Sequence, residues 1–181
     1  MTVTVKPVRA SWDVPEEWRE TPVADLLAYQ NLGKPHRRHD RAEILVVACM
    51  DHRVTLRLPE GFAYVIRVGG ANTTPVMFNV SYAIGVKAVR FVALVGHTGC
   101  GTVGLLGKRA EFVAGLVDHG GWDAGAAGKH FDSDAPFYDL ADPATFVARS
   151  AKRLASDYPK VRVAALLYDI ADGSVSLVPE P

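Results

Sequence analysis

The stretch "ILVVACMDHR", residues 44–53, is apolar for five positions and then turns through a cysteine to acid, histidine and arginine. A second stretch, "FVALVGHTGCG", residues 91–101, repeats the pattern and ends on His97 and Cys100. Cys49 and Cys100 are the only two cysteines of the chain. Short runs of branched apolar residues without polar alternation read as strands covered on both faces. Strands of that kind belong to parallel sheets. Residues 63–68 and 161–169 carry the same signal, so four strands frame the chain.

Helical patterns with start signals lie between them. Thr21-Pro22 precedes "VADLLAYQNLG", Thr74-Pro75 precedes "VMFNVSYAIG" and Asp142-Pro143 precedes "ATFVARSAKRLASDY". Each pairs a capping side chain with proline at the first helical position. In the last, Phe146, Val147, Ala151 and Leu154 form an apolar stripe. Val76, Phe78 and Val80 read as core positions of the second. A further helix is expected to begin at Gly101 and run to about residue 118. The end, "YDIADGSVSLVP", reads as a strand, a turn at 171–173 and a partner strand. Alternating strands and helices make an α/β fold with a central, mostly parallel sheet flanked by helices and a C-terminal strand or hairpin at its edge.

Length and composition suit one domain over residues 1–181. Residues 1–42 read as a helical arm and basic link, 43–108 as the core, and 143–181 as a C-terminal helix and strands. Residues 118–142, rich in glycine and aspartate, read as a long loop insertion, with His119 and His130 exposed on it. The 20 basic and 20 acidic residues balance, which gives no reason to expect nucleic acid or a membrane surface as partner. The "HRRHDR" cluster reads as a solvated link without interleaved aromatics. The N-terminus lacks the pattern of a secretory signal and no run is long enough for a membrane helix, so a cytoplasmic location is expected.

In an open parallel sheet, ligands bind beyond the carboxyl ends of the strands. If the two cysteine-bearing strands are neighbours, Cys49, His97 and Cys100 meet there. Two thiolates and an imidazole suit zinc and leave a fourth tetrahedral position open. An expected helix start would favour Cys100 as thiolate, and its flanking glycines would let the backbone bend closely around a metal. Such a centre is formally neutral, so it acidifies water less than a three-histidine site would. Asp51 and Arg53 supply the needed help: Arg53 holds the carboxylate in a bidentate pair and leaves it a lone pair to accept a proton. In the opposite arrangement Asp51 itself fills the fourth position and closes the centre. His52, between them, reads as a surface residue.

At these residues the chain resembles the β-carbonic anhydrases. "CMDHR" and "GHTGCG" match the paired signature C-x-D-x-R and H-x-x-C of that family, closely over residues 43–108 and loosely over 161–178. The resemblance implies zinc held by Cys49, His97 and Cys100, a catalytic dyad of Asp51 and Arg53, and a homodimer or higher homo-oligomer. It implies a lyase of the carbonate dehydratase type, hydrating carbon dioxide reversibly to bicarbonate and a proton. Where relatives carry an R-N-A-G-N-like segment, this chain has Arg67-Val68-Gly69-Gly70-Ala71-Asn72, so Val68, Gly69, Gly70 and Asn72 are candidates for the substrate pocket. That departure and the 118–142 insertion keep open hydrolysis of carbonyl sulfide or carbon disulfide by the same metal set. A centre closed by Asp51 or a cleft blocked by residues 118–142 would instead make a non-catalytic zinc protein used for structure or sensing. A thiol redox role for Cys49 and Cys100 lacks the close cysteine pair typical of such sites.

Overall fold

The computed structural model describes residues 5–179. Six strands form one sheet: β1 (Lys6–Pro7), β2 (Ile44–Ala48), β3 (Ala63–Arg67), β4 (Phe91–His97), β5 (Arg162–Tyr168) and β6 (Val175–Leu177). Their order is β1-β6-β5-β4-β2-β3. β3, β2, β4 and β5 pair in parallel. β6 runs antiparallel to β5, closing the expected C-terminal hairpin, and the two-residue β1 pairs outside it.

The unbroken apolar runs follow from this layering. Val46, Ala48, Ala93 and Val95 pack on one face with Val23, Leu26, Leu27 and Tyr29 of α1 (Pro22–Asn31). Leu45, Val47, Val92 and Leu94 pack on the other, against α2 (Met77–Gly85) and α5 (Pro143–Asp157). Successive residues of each central strand thus enter opposite cores. Asp142 caps α5 by accepting from Thr145 N at 2.7 Å. The first turn of that helix presses on β4: a Cβ at Gly96 would lie 3.0 Å from Val147 and 3.2 Å from the Pro143 carbonyl.

Four sequence expectations are corrected. Residues 118–142 are not a loop: α3 (Arg109–Gly120) and α4 (Ala124–Tyr138) form an antiparallel-style pair carrying His119 and His130 on helices. α4 contains two glycines and Pro136, which hid it, but Ala127, Gly128, Phe131 and Ala135 are buried, and all but the phenylalanine are small enough for close packing. The guanidinium of Arg109 lies where a Gly128 side chain would stand, and it donates to both carboxylate oxygens of Asp132. Second, no helix starts at Gly101; residues 98–104 are turns and α3 begins only after a short 3-10 segment, Leu105–Lys108. Gly104 has φ +63°, and Thr102, Val103 and Gly104 are tied to Leu140 instead. Third, one residue of the basic link departs from its solvated reading: His39 is buried, with ring nitrogens 2.7 Å from Glu43 Oε1 and 3.3 Å from Tyr29 Oη, while the rest of "HRRHDR" is exposed as expected. Fourth, Val80 is core, whereas Phe78 is 81% exposed. Expectations for residues 1–4 and 180–181 lie outside the described residues.

Candidate metal centre

β2 and β4 are neighbours in register, Ala48 opposite Val95, so the residues that follow them emerge side by side. Cys49, His97 and Cys100 meet at that edge, all buried, with donor atoms within 4.8 Å of one another. The two sulfurs are 3.9 Å apart. Zn–S bonds of about 2.3 Å at a tetrahedral angle would separate two sulfurs by about 3.8 Å. The pair therefore fits two corners of a zinc tetrahedron.

His97 completes the fit. Its Nδ1 lies 2.9 Å from the Thr98 carbonyl, which can only accept, so Nδ1 carries the proton and Nε2 keeps its lone pair. Nε2 is the sole buried side-chain nitrogen or oxygen without a hydrogen-bond partner among the described residues. Leaving such an atom unpaired costs about 1–3 kcal/mol, a cost a metal ion removes. Thr98 is itself held, its hydroxyl donating to Asp169 Oδ1 at 3.2 Å and accepting from Ile170 N at 3.0 Å.

Without a metal the thiols share a proton. Cys49 is raised, first by its hydrogen bond to Cys100 and then by burial. Cys100 is lowered to about 5 by that bond and by Thr102, against the effect of burial. The turn location of Cys100 means that a helix start contributes nothing to this shift. Thr102 Oγ1 lies 3.1 Å from Cys100 Sγ.

Asp51 and Arg53 form the expected pair. Arg53 Nε donates to Oδ1 at 3.0 Å and Nη2 to Oδ2 at 2.7 Å. These bonds, with the Arg53 N–H, hold the Asp51 carboxyl well below the usual carboxylate range. Nη2 also donates to the Gly99 carbonyl, fixing the pair against the His97–Cys100 turn. Asp51 Oδ2 then stands 3.9 Å from His97 Nε2 but is not part of the group whose donor atoms all lie within 4.8 Å of one another. The His52 side chain is 94% exposed, as its surface reading requires.

The 67–72 segment divides in its roles. Arg67, to which sequence reasoning assigned no task, donates to the Cys49 carbonyl at 2.8 Å and the Val54 carbonyl at 2.7 Å, clamping the loop that carries Asp51 and Arg53. Gly70 has φ +62°, and a side chain there would strike Leu140. Val68 and Gly69 lie in the same turn, Gly69 under the Tyr138 ring. Asn72 has both amide atoms engaged, by the Phe137 carbonyl and Thr74 N, and so ties this turn to α4 instead of offering a free amide to a pocket. Arg67 was hidden because an arginine inside an apolar strand run gives no sign of where its side chain goes. Thr98, Thr102 and Asp169 left no signal that separates them from ordinary turn residues.

The comparisons agree with this fold. The family model described as carbonic anhydrase matches residues 44–175. Among solved structures, a β-carbonic anhydrase of the protozoan Trichomonas vaginalis aligns with TM-score 0.66 at 17% identity, covering 83% of this chain and 91% of that one. A carbonic anhydrase of Glaciozyma antarctica gives TM-score 0.62 at 19% identity, over 92% of this chain and all of that one. A carbon disulfide hydrolase in its apo form gives 0.56 at 17% identity, covering 84% of each chain. Among curated proteins no sequence match is found.

The shared proton has a measurable sign. In metal-free protein one thiolate should appear as pH rises through about 5, and no second one through the ordinary thiol range near about 8.5. Thiolate absorbance followed against pH would show it; two thiols ionising together near the ordinary value would contradict the pairing.

Proposed function

Because this chain belongs to the β-carbonic anhydrase family, we propose that it is a zinc lyase that hydrates carbon dioxide reversibly to bicarbonate and a proton. The observation that carries the proposal is the buried, unpartnered Nε2 of His97 facing two thiols, with Asp51 held to one side by Arg53. Cys49, His97 and Cys100 would hold the metal, and zinc in that set would supply an activated water as nucleophile near neutral pH.

The chain's own residues perform the rest. Asp51, ionised by its contact with Arg53, can only accept hydrogen bonds. Oδ2, the oxygen nearer His97, would accept a hydrogen bond from the remaining O–H of the nucleophile and so aim its lone pair towards the carbon. Arg53 has three contacts on Asp51 and one on Gly99, so the carboxylate cannot swing into the donor set without breaking them. That grip supports the open, catalytic arrangement over a closed non-catalytic one. Val68, Gly69 and Gly70 bring no charge to the adjoining wall, which suits a small linear apolar substrate. Burial of both free thiols in a metal set is compatible with a reducing, cytoplasmic compartment. No helix among the described residues is long and apolar enough to cross a membrane.

Carbonyl sulfide and carbon disulfide have the same linear shape, and the fold match to a carbon disulfide hydrolase keeps that second reading in view. We also propose that a second copy of the chain covers one face. β3 is the outermost strand, with Tyr64 and Val65 exposed. Phe78, Tyr82 and Val86, four residues apart on and just beyond α2, are exposed as well. An apolar edge strand left open would invite uncontrolled pairing.

Two experiments test these readings. Stopped-flow hydration of carbon dioxide by zinc-loaded protein should be fast and should fall by about 10²–10⁴-fold in Asp51→Ala; no hydration with one zinc bound would defeat the proposal, and sulfide release from either sulfur substrate would then establish the second reading. Light scattering should give a dimer or larger that Phe78→Glu dissociates. A monomeric wild-type protein would refute the covered face.

A further inference from the structure

Thr102 Oγ1 lies 3.1 Å from Cys100 Sγ. Apart from the two thiols themselves, that hydroxyl is the one side-chain hydrogen-bonding partner of either sulfur among the described residues.

Its direction is set by what surrounds it. The Thr102 carbonyl accepts from both Leu105 N and Leu140 N, which holds the residue between the 3-10 segment and the link after α4. A Cβ at Gly70 would lie 3.1 Å from the hydroxyl oxygen, and one at Gly69 would lie 3.7 Å from the Thr102 methyl. The turn at 69–70 thus leaves room for the threonine side chain and little else.

We propose that Thr102 is a positioning residue of the metal centre, its hydroxyl donating to Cys100 Sγ to aim that sulfur and to draw electron density from it. The inference rests on the metal reading of Cys49, His97 and Cys100 given above. Two thiolates and a neutral imidazole cancel the charge of a divalent ion. A thiolate that shares its density with a donor gives less of it to the metal, which stays a stronger Lewis acid. The hydroxyl therefore offsets the weakness that a neutral donor set would otherwise have.

Cobalt(II) loaded into the wild type, Thr102→Val and Thr102→Ser reads this directly, because the thiolate-to-cobalt charge-transfer band reports electron density on sulfur whether or not the protein turns over substrate. Valine keeps the branched shape and removes the donor, so the band should move to lower energy and carbon dioxide hydration by the zinc form should fall about 10–100-fold. Serine should restore both. Should valine fail to fold against the 69–70 turn, Thr102→Ala gives the same reading. A band unmoved in a folded variant holding one metal overturns the inference, even if activity falls, since the hydroxyl would then serve structure alone. A wild-type protein with no such band sinks the underlying metal reading, and this inference with it.

Discussion

Ala48 lies opposite Val95 in the parallel pairing of β2 and β4, and every feature of the candidate site depends on that register. A parallel pair delivers two chain ends to the same edge of a sheet, where the backbone must leave its ladder and the side chains are no longer committed to either core. Cys49 leaves one strand there, and His97 closes the other with Cys100 three residues on. A slip of one residue would send alternate side chains to the wrong face and separate the three donors. The two apolar cores that grip β2 and β4 from both sides prevent it.

Charge explains the shell around those donors. The three would neutralise a divalent ion, so reactivity has to come from neighbours. Arg53 keeps Asp51 ionised and turned aside, Arg67 fixes the loop that carries them both, and the Thr102 hydroxyl meets the Cys100 sulfur. The Thr98–Asp169 contacts hold His97 in one tautomer from the far side. These partners come from β2, β3, β4 and the turn after β5, so the sheet order organises the shell as well as the ligands.

Much of this was legible because β2 and β4 are buried on both faces and their ends coincide with the only cysteines, whereas β3, read the same way, is largely exposed. The caps at Thr21, Thr74 and Asp142 marked helices that are present, although only Asp142 makes a side-chain capping bond and the Thr74 segment opens as a 3-10 turn. What escaped depended on contacts between distant parts of the chain. α4 has poor intrinsic propensity and is stabilised by packing small residues against α3, with Asp123 at its cap as the one local clue. The turns at 98–104 replace an expected helix because Leu140, far along the chain, bonds to that segment. His39 looked solvated until Tyr29 and Glu43 closed around it, and Phe78 looked like core because helical periodicity cannot distinguish a face covered by the same chain from one left open.

The central claim is that Cys49, His97 and Cys100 hold zinc with Asp51 outside the ligand set. Zinc K-edge X-ray absorption on the purified protein tests it most directly. The account predicts two sulfurs at about 2.3 Å, one imidazole nitrogen at about 2.0 Å and one light fourth ligand, with the spectrum unchanged in Asp51→Ala. A zinc shell without sulfur would contradict the assignment of the thiols, and a fourth ligand lost on removing Asp51 would contradict the open centre.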